Sequence, residues 1–257
     1  MSDSALTPPP HLSASSIGTF RQCPLKFKFS KIDQIPEEPG EAAMLGNFVH
    51  DALENLYGLP PEDRTLGVAK TIAKNMWDLS WKQQVSPYIH NAEQLKMFRW
   101  QAWWCIENLW KIENPQKIEP DGLEFEVYGL IGGVVIKGFI DRYSTSEKTG
   151  QIIVSDYKTG KTPKPQYLDE KFFQLYIYAS LLEGMGAGGV EELELLYLKD
   201  GVKIARKVEE DDKINTIEIV QEAKSDIDSR CSSGNFEPVT SILCNWCSYK
   251  SICPAWN

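Results

Sequence analysis

In the segment QIIVSDYKTG, Asp156 and Lys158 stand two residues apart. On a strand, residues i and i+2 project from the same face, so one carboxylate and one ammonium would enter the same site. Asp141 ends the preceding apolar run, GFIDRY, and two carboxylates placed this way can converge on a cation. An oxygen-rich site with few protein ligands suits Mg²⁺ or Mn²⁺. Such an ion polarises a phosphate and acidifies a bound water. A lysine beside it can hold the attacking water or balance charge on the phosphorane oxygens. That is the chemistry of phosphodiester hydrolysis. Taken alone, Asp-x-Lys before Thr-Gly is also an ordinary solvated turn.

Three further groupings carry chemical potential. GNFVHDALE places Gly46, His50 and Glu54 at four-residue intervals on one helical face. There His50 could serve as a metal ligand, and Gly46 would admit a close backbone. Isolated, the same histidine reads as a surface or core residue; His11 and His90 lack such company. In FFQLYIYA, Gln174 and Tyr178 lie one turn apart and could orient a phosphate or base, although an amphipathic core helix explains them equally well. Cys244, Cys247 and Cys253 form C-x2-C-x5-C, and Cys23 lies near the N-terminus. Four such thiolates suit an iron–sulfur cluster or tetrahedral zinc. The paired knuckles usual for zinc are missing. A metal centre here would staple the two ends of the chain and close a long loop. Cys105 and Cys231 remain outside this set, Cys105 within an aromatic helix.

The elements that must position these residues are readable from hydrophobic period. Ser13 or Ser15 caps a helix over about 17–29, and a second helix runs over about 42–57. Longer helical patterns follow near 66–84 and 90–113, ended by Pro115 and Pro120. From Leu123 the period shifts toward two. EFEVYGL and VVIKGFIDRY read as a hairpin turning at Gly132-Gly133, and QIIVSDYK as a third strand. A helix over 172–183, a strand ELELLYL, a short strand at 202–208 and a polar helix near 212–230 complete the pattern. Residues 1–12 read as a flexible tail and 58–118 as a helical insertion. Residues 119–210 form the catalytic sheet core, and 236–257 are a cysteine-rich end. Together they make one α/β domain.

Composition sets outer limits. The 257 residues are 42% hydrophobic and 25% charged, an ordinary globular mix with enough apolar surface for a core without disulfides. No stretch of about 20 apolar residues is present, so no membrane association is expected. The first residues lack the basic flank and apolar run of a signal peptide, so the expected location is cytoplasmic. There structural disulfides are rare and the cysteines need another role. Net charge is −9, from 27 basic and 36 acidic side chains, which argues mildly against nucleic acid. A carboxylate metal site, however, adds formal charge that cations offset. Trp100, Trp103 and Trp104 read as core packing more readily than as stacking platforms for bases. Arg21, Lys26, Lys28, Lys31, Lys161, Lys164 and Lys171 are the better phosphate-contact candidates.

Read together, S-x-S-x-I-x-x-F-x-x-C-P at Ser13–Pro24, G-x-x-x-H at Gly46–His50, G-x-I-D-R at Gly138–Arg142, D-Y-K-T-G at Asp156–Gly160, Q-x-x-x-Y at Gln174–Tyr178 and the terminal cysteine triplet resemble one family. It is the RecB-like branch of the PD-(D/E)XK nuclease superfamily in its iron–sulfur form, related to AddB nuclease domains and CRISPR-associated RecB-like exonucleases. The resemblance spans most of the chain. It implies a restriction-endonuclease-like core, with a central mixed sheet flanked by helices and a 4Fe–4S cluster joining the terminal segments. It implies that His50, Asp141, Asp156 and the Tyr157 carbonyl bind Mg²⁺ or Mn²⁺, that Lys158 is catalytic, and that Gln174 and Tyr178 support the site. It also implies that Cys23, Cys244, Cys247 and Cys253 hold the cluster. Asp156 stands where glutamate is commoner, a change the family pattern permits. The activity implied is a metal-dependent DNA exonuclease of repair or recombination acting on single strands or ends. The alternatives are a CRISPR-associated nuclease trimming spacer precursors and a non-catalytic end-binding subunit of a helicase–nuclease complex. The chain has no G-x-x-x-x-G-K-[ST] motor loop, so a helicase or a CRISPR adaptation protein would be a separate partner.

Overall fold

In the computed structural model the described residues are 6–89 and 91–256, so His90 lies outside them. The helices are α1 (Ala14–Gln22), α2 (Pro24–Phe27), α3 (Glu41–Tyr57), α4 (Leu66–Met76), α5 (Lys82–Val85), α6 (Ala92–Ile112), α7 (Leu168–Gly184) and α8 (Glu210–Ser233). The strands are β1 (Gly122–Ile131), β2 (Val134–Thr145), β3 (Ile152–Lys158), β4 (Val190–Tyr197) and β5 (Val202–Lys207). They form one mixed sheet in the order β1-β2-β3-β4-β5. β2 and β3 are antiparallel, β3 and β4 parallel, β4 and β5 antiparallel. The parallel step needs a crossover, and α7 supplies it.

The chain forms two compact units, both built from discontinuous segments. One comprises residues 39–126 and 139–208. Its core packs α3, α4 and α6 with Tyr157 of β3 and Leu196 of β4. Phe48 sits among Trp77, Trp81 and Phe98, with edge-on ring contacts of 5.3–6.3 Å. Such pairs add about 0.5–1.5 kcal/mol each beyond area burial. α4 and α5 are joined by a π-helical segment, Trp77–Trp81, which turns both tryptophans into this core.

The other unit comprises residues 1–38, 127–138 and 209–257. Ser13 caps α1 through a reciprocal capping box with Ser16. The helix expected over 17–29 breaks at Cys23-Pro24, because proline cannot donate the next helical bond; α2 restarts with Pro24 at its first position. The tail reading gives way at Leu12. That side chain is buried, and its backbone bonds Val135 and Lys137 as a parallel bridge to β2. The β1–β2 turn has Gly132 at φ +56° and Gly133 at +82°, as a primed two-residue hairpin turn requires. A Cβ on Gly132 would come within 2.8 Å of Gln221, whose amide donates to the Gly132 carbonyl.

Candidate metal and catalytic site

Alternation along β2 and β3 sorts their residues onto two faces. Arg142 and Ser155 are cross-strand partners, and Arg142 Nη2 donates to Ser155 Oγ at 3.0 Å. Asp141 and Asp156, each one residue away, therefore face the opposite side. Lys158 joins them at i+2, and its Nζ lies 2.5 Å from Asp156 Oδ2. The expected pairing of carboxylate and ammonium on one face is present.

α3 brings His50 to this edge. Its Nε2 lies 3.0 Å from the Tyr157 carbonyl oxygen, which can only accept, so that nitrogen carries the proton. Nδ1 then points at Asp141 Oδ2, 3.4 Å away, and at Glu124 Oε1, 3.8 Å away. Asp141 Oδ2 is itself fixed by the Tyr157 N–H at 2.7 Å. One peptide unit of β3 thus orients both the histidine and the aspartate. The Tyr157 carbonyl keeps a second lone pair for another partner.

His50, Glu124 and Asp141 offer ligand atoms that all lie within 4.8 Å of one another. The electrostatics show what this cage accepts. Burial alone would lower the imidazole, but Asp141 and Glu124, with Asp156 behind them, outweigh it and raise its pKa to about 10. An N,O,O donor set suits a divalent cation, which would bind His50 in its neutral form and displace a proton. The residues fit the metal that the family implies.

Asp156 is not part of the close triad; Lys158 holds its carboxylate. Burial pushes Asp156 upward against the pull of Lys158, while Asp156 and Asp141 keep Lys158 charged despite its own burial. Gln174 Nε2 donates to Tyr178 Oη at 2.8 Å, one turn apart on α7 as spaced. Burial raises the Tyr178 pKa, Gln174 opposes this, and the charges of Asp156 and Asp141 raise it further. The phenol therefore remains a neutral donor near both carboxylates. Glu54 shares the His50 face of α3 but stays outside the triad. The close approach expected at Gly46 is absent: a Cβ there would meet only Thr159 Oγ1, at an ordinary 3.5 Å.

Glu124 is the site residue that sequence reading misses. Its backbone has φ +41°, the left-handed region that a β-carbon disfavours. Counting back from a two-residue turn at Gly132-Gly133, an unbroken hairpin sets Glu124 opposite Asp141, and that arithmetic is the signal available in the sequence.

On the reverse face of the sheet lies a buried ionic ladder. Arg142 Nη1 and Nη2 donate to Glu113 at 2.5 and 2.9 Å. Ser155 Oγ donates to Glu194 at 2.8 Å, and Lys203 Nζ donates to Glu194 at 2.6 Å. Arg142 also stacks over Tyr57 at 4.8 Å. Asp141 and Asp156 are chain neighbours of Arg142 and Ser155, so the ladder anchors both site strands from behind.

In the other unit, Cys23, Cys244, Cys247 and Cys253 all line one cavity of about 180 Å³. None of the four is in a disulfide, and all are partly exposed. The Val239 N–H donates to Cys23 Sγ at 3.5 Å and the Ser241 N–H to Cys244 Sγ at 3.4 Å. No three of the four sulfurs fall within 4.8 Å of one another. Tyr249 Oη donates to the Ile35 carbonyl at 2.9 Å, tying the terminal segments together beside them. Cys105 and Cys231 are buried apart from this group, and burial pushes the Cys105 thiol up to about 11.

Trp103 packs against the core as expected, but Trp100 and Trp104 do not. Trp100 and Trp104 are 54% and 38% exposed and stack on each other, with ring centroids 5.5 Å apart and planes at 22°. Among the described residues, no helix is long and apolar enough to cross a membrane.

With this geometry in view, the comparisons with known proteins give the class. The profile of the PD-(D/E)XK nuclease superfamily matches residues 11–254, and the chain belongs to that superfamily. Its curated relatives include the Gene 69 protein of Mycobacterium phage L5, 23% identical over 96% of this chain and 97% of that protein. The Gene 69 protein of Mycobacterium phage D29 is 25% identical over 66% of this chain and 68% of its own length. Among solved structures, a protein from Eubacterium rectale named a "putative exonuclease" superposes with a TM-score of 0.60 at 15% identity. That match covers 93% of this chain and 88% of the other and speaks to fold alone.

Proposed function

We propose that the protein is a divalent-metal-dependent DNA exonuclease acting on single strands or DNA ends, in the cytoplasm and in the service of repair or recombination. It would act alone or beside a separate motor subunit. The observation that carries this reading is the His50–Glu124–Asp141 cage, set next to the Asp156–Lys158 pair on the same edge of a PD-(D/E)XK sheet.

His50, Glu124 and Asp141, with Asp156 and the Tyr157 carbonyl adjoining, would hold Mg²⁺ or Mn²⁺. When bound, the metal supplies charge that polarises the scissile phosphate and acidifies water. Lys158 places an ammonium beside Asp156, where it orients a water by donation and offsets charge gathering on the phosphoryl oxygens. The Tyr157 N–H fixes Asp141, and the Tyr157 carbonyl fixes the tautomer of His50, so neither side chain must reorganise during the reaction. Tyr178, aligned by Gln174, supplies a neutral donor to a phosphate oxygen.

The same proposal assigns the four-cysteine cavity to a 4Fe–4S cluster. The two N–H···S bonds are of the kind that stabilise cluster thiolates. A single zinc, with Zn–S of about 2.3 Å, draws its four sulfurs to about 3.8 Å from each other.

The test is cleavage of end-labelled single- and double-stranded DNA with Mg²⁺ or Mn²⁺ by anaerobically purified protein. The Lys158→Ala variant runs in parallel. We expect metal-dependent degradation that falls by at least about 100-fold in the variant, as loss of one charge-stabilising donor typically costs. Undiminished cleavage by Lys158→Ala would remove the assignment.

A further inference from the structure

The face of the helical insertion that carries the exposed tryptophans is a second feature the cleavage site does not use. A groove of about 290 Å³ runs between α4 and α6. Lys70 and Lys74 of α4 and Lys96 and Arg99 of α6 line it, together with Trp100 and Trp103, over a floor of Phe48 and Trp77. Among the described residues no carboxylate lines it. In a chain of net charge −9, four cations gathered without an acid make a local reversal of the overall field.

These cations are not engaged in ion pairs. Among the described residues none of the four meets a carboxylate; instead Lys70 lies over Trp103 at 5.8 Å and Arg99 over Trp77 at 5.3 Å. The aromatic planes are therefore already associated with positive charge. Trp100 extends the groove outward. Its ring is more than half exposed and stacks on Trp104 with planes at 22°; Lys111 Nζ lies over the Trp104 ring at 4.9 Å, so Trp100 is the more open indole of the pair. Trp104 is held from behind, its Nε1 donating to the Lys199 carbonyl at 3.0 Å.

We infer that this groove binds unpaired nucleotides of single-stranded DNA, with a base stacking on Trp100 and the phosphates running past Lys70, Lys74, Lys96 and Arg99. A ligand that presents a flat π face and a negative charge at each repeat matches this pattern. Duplex DNA buries its base faces and cannot use the indole. Phe48 of its floor and His50 of the cage are two residues apart on α3, about 200° around the helix, so the groove and the metal site lie on different sides of that helix. The choice of DNA as the occupant rests on the proposed nuclease reading, and the test is made without cleavage.

The measurement is fluorescence anisotropy of a labelled oligothymidylate titrated with the full chain in EDTA, with duplex DNA and thymidine monophosphate as comparisons. Trp100→Ala should weaken oligothymidylate binding about 5- to 150-fold, the span seen when one base–aromatic stack is removed. Trp100→Phe should retain most of the affinity, and the exposed position should leave the melting temperature unchanged. The double substitution Lys96→Gln with Arg99→Gln should flatten the slope of log K against log salt by about 0.7 for each phosphate no longer neutralised. An iodouridine strand should photocrosslink within residues 96–104. Unaltered binding by both variants would overturn the assignment, as would equal affinity for duplex or for the mononucleotide. Because no step depends on metal or on Lys158, an inactive enzyme with a functional groove and an active enzyme without one give different results.

Discussion

Glu124 combines two properties that rarely coincide in a strand residue: a left-handed backbone and a carboxylate aimed at a histidine. A non-glycine residue at φ +41° costs on the order of 1 kcal/mol or more and persists where the surroundings hold it. Two substitutions separate the backbone from the side chain. Glu124→Gly should relieve the strain and leave stability to denaturant equal to or above that of the parent. Glu124→Gln keeps the strain. Both should weaken Mn²⁺ binding, measured by calorimetry, by at least the roughly 10- to 100-fold that losing even an outer-shell partner costs. Undiminished affinity in both would remove Glu124 from the ligand set. Such a residue is hard to read in a sequence, because its role depends on a backbone angle that its residue type disfavours. Asp141, Asp156 and Lys158 were legible because alternation alone fixes which face they share.

At the level of elements, the side-chain ladder across β2, β3, β4 and β5 ties the paired site strands together from behind. Glu113 is the clearest titrating member. Burial would raise its carboxyl, but Arg142 and Tyr57 more than reverse this and hold it below the usual carboxylate range. A carboxylate depressed in the folded state contributes stability above its unfolded pKa and loses it as pH falls through the lower folded value. Glu113→Gln should therefore cost most near neutral pH, on the order of 3–5 kcal/mol because Arg142 is left buried without its partner. In urea titrations the difference from the parent should shrink as pH drops below about 4. A penalty independent of pH would mean that Gln fails for packing reasons instead. Strands and helices here were largely readable from their periods, down to the Gly132-Gly133 turn. The π-helical segment Trp77–Trp81 was not, since one inserted residue per turn leaves no distinct pattern. Trp100 and Trp104 of α6 were misread, while Trp103 was not, for a related reason: helical spacing locates an aromatic stripe but not the width of the face that neighbouring helices cover.

On the scale of the whole molecule, the His50–Glu124–Asp141 triad and the four cysteines belong to different compact units. This separates their functions experimentally. Cys247→Ser should abolish the brown colour and iron content of anaerobically purified protein. It should also speed proteolysis within residues 209–256 while leaving Mn²⁺ affinity of the His50 cage within about twofold, as expected for sites that share no partners. Retained iron in the variant would contradict the cluster assignment; abolished Mn²⁺ binding would show that the two units are energetically coupled.

The division into units also has a temporal side. The chain passes between them four times, after Glu38, Glu126, Gly138 and Val208. Every residue of the unit holding the metal cage has been synthesised once Val208 is made. The unit holding Cys23 must wait for Cys253, a few seconds longer at about 5–20 residues per second. Its first helices therefore leave the ribosome long before the segments that cover them, with Phe20, Phe27 and Leu25 exposed meanwhile. A stalled or shortened chain would carry every residue of the unit with the His50–Glu124–Asp141 triad while its other unit still lacked its last segments.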